Sequence, residues 1–383
     1  MAYDYLGQNV IPVKLCKESG RIGDRVVRLS PKEEERAMRL HRESMVIDFH
    51  LHDTVLPEDL KDFETLARSG RPAVGYEGIK KSGLTAFLCG FGGSMGRRSS
   101  PTPWQLNDII WDLGIRQADL DHHPEVGIRG YSVKDIRKAK ESGRTAIIPH
   151  VENGQMIDND LDRVDMLYGL GLRCLGLSYN SRTTVADGCT ERTDGGLSSF
   201  GFKVIERMNR LGMLIDLSHS SDLAAKETIE GSKAPCALTH TFARALFENP
   251  RGRSDDLLKL LAGRGGVIGV AAVPNLMSGK EVQTVFEVID QVDYLVKLVG
   301  VDHVAIGTDA MFGDHVGMHK LMRGVMDMMK ALKDLPAPYV EYIENPSEWP
   351  NLTRALVARG YPDEVIKKII GENVLRLLEQ TIG

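Results

Sequence analysis

Short apolar segments alternate with amphipathic segments along most of the chain. Eight segments are apolar almost throughout and have the length of buried strands. They lie at residues 46–50, 84–90, 145–151, 173–178, 214–218, 236–239, 266–272 and 303–308. Strands that are apolar on both faces are typical of parallel sheets covered by helices. The pattern therefore predicts a parallel sheet.

The segments between these strands carry helical periodicity. Apolar side chains recur every three or four positions over residues 197–211, and Gly212 follows as a stop signal. Ser254, followed by two aspartates, predicts the start of another helix. Residues 282–299 and 320–335 predict two more. Eight strands that alternate with helices favour a closed α/β barrel, the (β/α)8 TIM barrel, over an open doubly wound sheet.

The barrel pattern carries additions. A Ser-Pro pair at residues 30 and 31, followed by acidic residues, predicts a helix within an N-terminal extension, residues 1–44, that packs on the barrel of residues 45–383. A long insertion follows strand two, roughly residues 91–144, and is predicted to be helical from Trp104 onwards. A proline-rich loop near residues 337–350 precedes a last amphipathic helix, Pro362–Glu379.

Composition narrows the class of protein. A chain of 383 residues with 42% hydrophobic residues can bury a large core. The net charge of −5 and the lack of a long basic run argue against nucleic-acid binding. We expect no membrane association, because no signal peptide and no apolar run of ~20 residues is present. Five scattered cysteines without C-x-x-C spacing predict a reduced, cytoplasmic protein.

Candidate metal ligands stand at the predicted strand ends. The carboxyl ends of parallel barrel strands meet at one face, where active sites are built. His50 and His52 are two residues apart, so both imidazoles point to the same side of the first strand. The later strand ends add His150, Glu152, Tyr179, His219, His240 and Asp309. Each residue alone is also explained as a polar strand end, but their convergence predicts a metal centre.

The number of donors indicates two cations. Two adjacent cations polarise a carbonyl and activate water. Glu152 is placed to bridge them, because each carboxylate oxygen can bind one ion. Asp309 can bind a cation and also accept a proton, although a turn or helix cap is an alternative role for it. On the residues alone, Arg251 suits a substrate anion and a loop contact equally well, whereas Arg244 favours a loop salt bridge.

The motifs together resemble the renal (membrane) dipeptidase family of zinc peptidases, which have amidohydrolase-like barrels. The resemblance runs from about Ile47 to Leu378. The matching motifs are Ile47-Asp-Phe-His50, His150-Val-Glu152-Asn-Gly, Leu177-Ser-Tyr-Asn180, Ala186-Asp-Gly188, Asp216-Leu-Ser-His219, Thr239-His240-Thr-Phe-Ala-Arg244, Asn249-Pro-Arg251-Gly-Arg-Ser-Asp-Asp256, Gly307-Thr-Asp309 and Gly371-Glu-Asn-Val-Leu-Arg376.

The resemblance implies a set of roles for these residues. It implies that His50 and Asp309 bind one zinc ion, and that His219 and His240 bind the other. Glu152 then bridges the two ions. The resemblance also implies that Arg251 contacts the carboxylate of the substrate, a role that suits the fork geometry of a guanidinium.

Three residues depart from the family pattern. His52 stands where the family has an aspartate, and we expect it to remain a ligand. The exchange makes the site one unit more positive. Tyr179 stands where the family has a histidine that stabilises the tetrahedral intermediate; a phenol can donate the same hydrogen bond, but Tyr179 equally suits packing. Val273 lies near the position of a tyrosine that contacts substrate. We assign His150 a supporting role beside the ligands.

The predicted function is a binuclear zinc hydrolase that cleaves an amide bond in a small carboxylate-bearing substrate, with dipeptides as the first candidates. Mn²⁺, Co²⁺ and Fe²⁺ also suit a mixed nitrogen and oxygen site. Glu152, Asp309 and Tyr179 are the predicted catalytic residues, and Arg251 and Tyr179 bind substrate. One alternative is hydrolysis of a cyclic amide, another non-peptide amide or a lactone. A second is a barrel that binds a ligand without catalysis. We also expect a homo-oligomer.

Overall fold

Eight parallel strands form the predicted barrel. The computed structural model describes residues 13–16, 25–62, 65–66, 74–92, 104–312 and 339–383. Its strands are β1 (Ile47–Leu51), β2 (Ala86–Gly90), β3 (Gly127–Arg129), β4 (Thr145–Val151), β5 (Cys174–Gly176), β6 (Leu214–Asp216), β7 (Ala237–Ala243), β8 (Gly252–Arg253), β9 (Val267–Val270), β10 (Gln283–Thr284), β11 (Val304–Ile306) and β12 (Val340–Glu341). The barrel order is β1-β2-β4-β5-β6-β7-β9-β11, and each neighbouring pair is parallel. All eight predicted strands are present, and the predicted fold class is confirmed.

Helices surround this barrel. They are α1 (Pro31–Glu43), α2 (Tyr76–Ser82), α3 (Leu106–Asp121), α4 (Val133–Ser142), α5 (Asp162–Gly169), α6 (Ser199–Leu211), α7 (Asp222–Gly231), α8 (Asp255–Gly263), α9 (Val285–Val299), α10 (Pro350–Ala358), α11 (Asp363–Lys367) and α12 (Asn373–Thr381). The predicted helix caps are present: Ser30 forms a capping box with Glu33, and the Ser254 hydroxyl accepts the Leu257 N–H. The helix predicted at residues 320–335 lies outside the described residues. No helix in the described ranges has the length and apolarity to cross a bilayer.

The barrel closes between β1 and the residues that follow β11. The Asp309 N–H donates to the His50 carbonyl at 2.8 Å, and the His52 N–H donates to the Ala310 carbonyl at 2.9 Å. Asp48, which is fully buried, reinforces this closure. Its carboxylate accepts the Thr308 N–H at 2.9 Å, the Thr308 hydroxyl at 2.7 Å and the Trp349 indole N–H at 2.9 Å. The first and last strands are thereby fixed at the edge where the predicted ligands lie.

The core has two parts. Ala146 and Ile148 of β4 belong to an inner cluster that also contains Val374 and Leu377 of α12. Ile147 and Val151 of β4 belong to the larger cluster that packs with the surrounding helices. Because side chains alternate along a strand, His150 continues the inner face of β4 towards its carboxyl end.

The N-terminal helix contacts the C-terminal part of the chain. α1 packs against α10. The Arg354 guanidinium pairs with the Glu34 carboxylate, with Nη2 and Oε1 2.7 Å apart. These contacts place the extension against helices outside the barrel. The division of the chain at residue 44 stays a prediction.

Two expectations about elements need correction. The insertion is not helical throughout, because β3 lies between α3 and α4 and pairs with β4. The last helix is not continuous: a π-helical turn, Lys368–Glu372, separates α11 from α12. A Cβ added at Gly371 would lie 1.7 Å from the Met45 carbonyl oxygen. Glycine there allows the chain to approach the start of β1, and the helix is interrupted where that approach occurs.

Candidate metal centre

Six side chains predicted as ligands meet at the carboxyl end of the barrel. They are His50, His52, Glu152, His219, His240 and Asp309. Their potential ligand atoms form three overlapping groups, within each of which all atoms lie within 4.8 Å of one another: His50–His52–Glu152, His50–His240–Asp309 and Glu152–His219–His240. The structure therefore brings together residues from β1, β7 and the segments that follow β1, β4, β6 and β11. Their identity as ligands stays a prediction.

The Glu152 carboxylate lies at the centre of this arrangement. Its Oε1 is 3.6 Å from His50 Nε2 and 3.8 Å from His52 Nε2. Its Oε2 is 3.1 Å from His219 Nε2 and 3.6 Å from His240 Nε2. Each oxygen thus faces a different pair of imidazoles, and the site divides into two halves joined by one carboxylate.

Asp309 belongs to the half that contains His50 and His52. Its Oδ1 is 3.7 Å from His50 Nε2 and 3.4 Å from His52 Nε2. Its backbone has a φ of +54°, a conformation that non-glycine residues rarely adopt and that costs energy. The closure with β1 holds this conformation. Asp309 follows β11 and starts no helix, and its carboxylate faces His50 and His52.

The chemistry of the donors fits a metal. His50 Nε2 is buried and has no hydrogen-bond partner in the described part of the chain. His219 Nε2 and His240 Nε2 are 2.9 Å apart, so no more than one of them can carry a proton between them. Burial holds the pKa values of His50, His219 and His240 well below the usual range. Three neutral imidazoles and an unpartnered buried nitrogen are what a site for a first-row cation requires.

The pKa values of Glu152 and His52 are raised, whereas those of the three buried histidines are lowered. Burial raises the pKa of Glu152 to about 7, against the opposing effect of the nearby His52 charge. Burial lowers the pKa of His52, but the hydrogen bond to Asp309 and the charge of Glu152 outweigh it, so the pKa is raised overall. The His52 and Asp309 side chains are 15% and 22% exposed, whereas His50 and His240 are fully buried. The site therefore opens to solvent on the side of His52 and Asp309.

Polar side chains around the site hold the rings of three histidines. The Nδ1 of His219 is 2.8 Å from the Asn180 side-chain oxygen, so this N–H donates and Nε2 carries the lone pair. The Nδ1 of His240 is 2.9 Å from the Thr239 hydroxyl, and the Nδ1 of His50 is 2.9 Å from His150 Nδ1. The supporting position predicted for His150 agrees with this contact. Asn180 and Thr239 belong to the matching motifs, but nothing in the sequence indicated that they contact the histidine rings.

Arg251 and Tyr179 lie beside the half that contains His219. Arg251 is 2% exposed, and its Nη2 is 3.3 Å from His219 Nε2. Its Nη1 is buried and has no hydrogen-bond partner in the described ranges. The Tyr179 ring stacks on His219, with ring centroids 4.0 Å apart. Arg244 instead pairs with Asp222 at 2.8 Å, which is the salt bridge that we predicted for it.

Comparison with known proteins identifies the family. The model of the membrane dipeptidases, peptidase family M19, matches residues 115–335. The chain belongs to this family. The match confirms the resemblance found in the motifs.

Curated relatives of this M19 chain carry dipeptidase names. Dipeptidase 3 of Mus musculus is 31% identical over 291 residues, which cover 73% of this chain and 53% of the mouse protein. Dipeptidase verJ of Clonostachys rogersoniana is 33% identical over 277 residues, covering 72% of this chain and 64% of the fungal protein. The chain thus spans about half to two thirds of the length of these relatives.

Solved structures share the barrel. An amidohydrolase from Pseudomonas aeruginosa superposes with a TM-score of 0.76 at 29% identity, covering 90% of this chain and 98% of the other. A metallopeptidase from Rhodobacter sphaeroides superposes with a TM-score of 0.69 at 20% identity, covering 88% of this chain and 100% of the other. Both are similar to this M19 chain over nearly their whole length.

Proposed function

We propose that this M19 chain is a metal-dependent dipeptidase that binds two zinc ions. The observation that carries the proposal is the position of Glu152, whose two oxygens face separate pairs of imidazoles. His50, His52 and Asp309 would hold one ion, and His219 and His240 the other. Two cations in such a site supply polarisation of the scissile carbonyl and activation of water.

The remaining chemistry falls to side chains of this chain. Asp309 is the partly exposed carboxylate of the site, so it can accept the proton of the attacking water and deliver it to the leaving amine. Burial raises the pKa of the Tyr179 hydroxyl well above the usual range. The phenol therefore stays protonated at neutral pH and can donate a hydrogen bond to the developing oxyanion.

Arg251 supports a substrate that carries a carboxylate. A buried guanidinium nitrogen without a partner is costly, because arginine stays charged and each N–H needs an acceptor. The Arg251 backbone is held in place: its N–H donates to the Asn249 side-chain oxygen at 2.9 Å, and its carbonyl accepts the Thr241 hydroxyl at 3.1 Å. A substrate carboxylate would complete the hydrogen bonds of this fixed guanidinium. The free C-terminus of a dipeptide offers that group.

Zinc and the number of two ions rest on the donor set. Four imidazoles and two carboxylates suit Zn²⁺, but they also accept Mn²⁺, Co²⁺ or Fe²⁺. Elemental analysis of protein purified without added metal measures both identity and number. A homo-oligomer and a cytoplasmic location stay predictions.

A hydrolysis screen on zinc-loaded protein tests the proposed activity. The panel contains L,L-dipeptides, dipeptides with a D-residue at the C-terminal position, their C-terminal amides, cyclic amides and lactones. The D-residue substrates are included because the Rhodobacter sphaeroides metallopeptidase was solved with a phosphinate mimic of L-Ala-D-Ala. We expect turnover of dipeptides with a free carboxylate.

Two results would contradict the proposal. Turnover confined to cyclic amides or lactones would support a hydrolase but contradict a peptide substrate. A metal content well below one ion per chain, with no activation by zinc, would instead indicate a barrel that only binds a ligand.

A further inference from the structure

A buried chain of polar side chains runs beneath the site and joins His50 to His240. Its four members are His150, Asp216, Ser218 and Thr239, and each is no more than 1% exposed. None of them belongs to the proposed ligand set. Buried polar groups must satisfy one another, because water cannot reach them. The directions of the hydrogen bonds along this chain therefore depend on one another.

The first branch runs from Asp216 to His50. The Asp216 Oδ2 is 3.3 Å from His150 Nε2, within ion-pair distance, and neither atom has a hydrogen-bond partner in the described ranges. A carboxylate favours the tautomer of His150 that carries its proton at Nε2. The His150 Nδ1 is then an acceptor, and it is 2.9 Å from His50 Nδ1. His50 must donate from Nδ1, so its Nε2 keeps a lone pair that faces Glu152 and Asp309.

The second branch runs from the same carboxylate to His240. The Ser218 hydroxyl donates to Asp216 Oδ1 at 2.6 Å. The Ser218 oxygen, 3.1 Å from the Thr239 hydroxyl, then accepts from it, and the Thr239 oxygen accepts from His240 Nδ1 at 2.9 Å. The Nε2 of His240 is left with a lone pair, which faces Glu152 Oε2 at 3.6 Å. Because the Asp216 carboxylate can only accept, it fixes the direction of every hydrogen bond along this branch.

We propose that Asp216 is a positioning residue that sets the ring tautomer of one histidine in each half of the site, acting on His50 through His150 and on His240 through Ser218 and Thr239. The proposal rests on the function proposed above, because it treats His50 and His240 as ligands through Nε2. If the hydrogen bonds ran in the opposite direction, Nε2 of His50 and of His240 would each carry a proton and could not bind a metal ion. Asp216 accordingly prepares both halves before any ion binds.

The ring tautomers can be measured directly in the metal-free protein. Long-range proton–nitrogen NMR spectra of protein with labelled histidine distinguish a protonated ring nitrogen from an unprotonated one. Single His→Gln variants assign the signals. We expect the proton at Nδ1 in His50 and His240 and at Nε2 in His150. A proton at Nε2 of His50 or His240 would overturn the proposal, whether or not the protein hydrolyses dipeptides.

Metal affinity separates the two branches. His150→Phe removes the acceptor for His50 alone, and Thr239→Val removes the acceptor for His240 alone. Competition with a chromophoric chelator should show one binding step weakened about 10- to 100-fold in each variant. The double variant should show both steps weakened, because the branches meet only at Asp216. Asp216→Asn cannot accept from both branches, so it should weaken at least one step by a similar factor.

Matched controls separate positioning from loss of stability. Thr239→Ser keeps the hydroxyl and should restore the affinity that Thr239→Val loses. Thr228→Val removes an equally buried hydroxyl that donates to the Ala224 carbonyl within α7, and both binding steps should stay unchanged. If His150→Phe and Thr239→Val bind both ions as tightly as the parent does, the network is only structural. A parent that binds no metal would instead defeat the proposed function, while the NMR result would still stand.

Discussion

Glu152 is the side chain on which both halves of the site depend. In Glu152→Gln one oxygen becomes an amide nitrogen, which donates hydrogen bonds and cannot bind a cation. We expect the variant to lose metal and turnover and to keep the circular dichroism spectrum of the parent. Glu287→Gln, at the start of α9 away from the site, is the control and should retain both ions. Near-normal activity with two ions bound would show that Glu152 does not bridge the ions.

Arg251 decides whether the substrate carries an anion. A charge-assisted hydrogen bond to a carboxylate contributes about 1.5–3 kcal/mol. Arg251→Ala should therefore lower kcat/KM for dipeptides about 10- to 150-fold. Toward C-terminal amides, which offer no anion, the same change should cost little, and the metal content should not change.

Arg244→Ala is the matched control for this experiment. Arg244 pairs with Asp222 rather than facing the metal site. Its loss should affect the acids and the amides alike. An equal loss on both substrates in Arg251→Ala would show that Arg251 only holds the loop after β7.

His52 tests the departure from the family pattern. His52→Asp supplies the aspartate that the motif resemblance implies at this position, and it should keep both ions. His52→Ala should lose at least one ion, because Nε2 faces both Glu152 and Asp309. The measurement is metal content after dialysis against a weak chelator. Equal metal content in His52→Ala and the parent would show that the imidazole is not a ligand.

For single residues, the sequence predicted which side chains meet in the site, but not the hydrogen bonds that hold those side chains in place. The six candidate ligands stand at predicted strand ends, and a barrel brings such ends together. The contacts of Asp216 and Thr239 depend on how the neighbouring strands β6 and β7 pair, which periodicity does not provide. The position of His150, two residues before Glu152, was the available signal, because that spacing keeps both side chains on one face.

The end of β2 provides the space for the His52 ring. A Cβ added at Gly90 would lie 2.5 Å from two atoms of that ring and 3.2 Å from the His50 ring. Gly90→Ala should therefore displace His52 and weaken one metal-binding step, with a melting temperature close to that of the parent. Gly114→Ala in α3 is the control, because a Cβ there meets nothing within 4 Å. A Gly90→Ala protein with unchanged metal affinity would show that the ring has room to move.

Elements defined by local pattern were predicted well, and elements defined by distant contacts were not. Residues 145–151 were predicted as a strand with the bounds that β4 has. β3 is short and pairs with β4 only because the insertion folds back onto it, and no local pattern marks that contact. The interruption at Gly371 likewise depends on the Met45 carbonyl, which is distant along the chain.

The molecule as a whole should lose stability in mild acid because of His41. This ring is enclosed by α1, α2 and α10: Nε2 contacts the Ser82 carbonyl and Nδ1 the Thr353 hydroxyl, both at 2.9 Å. Burial lowers the pKa of His41 to about 4. The unfolded chain binds this proton below about pH 6.5, and the folded chain does so only near pH 4. The stabilisation is thus complete above pH 6.5 and is lost as the pH falls towards 4.

His41→Gln keeps one donor and one acceptor and cannot titrate. Between pH 7 and pH 4.5 the free energy of unfolding of metal-free protein should fall less in this variant, by up to about 3 kcal/mol. Urea unfolding at several pH values measures the difference. Parallel pH profiles for the parent and the variant would show that His41 does not contribute.

Asp48 also imposes an order on biosynthesis. The ribosome makes Asp48 before its two partners, because Thr308 and Trp349 follow 260 and 301 residues later. At 5–20 residues per second, Thr308 emerges roughly ten to fifty seconds after Asp48. Until then this carboxylate must stay hydrated, and one edge of β1 is open to pairing with other nascent chains. The barrel can close only after Thr308 has left the exit tunnel, so that edge of β1 has no partner while the other strands are made.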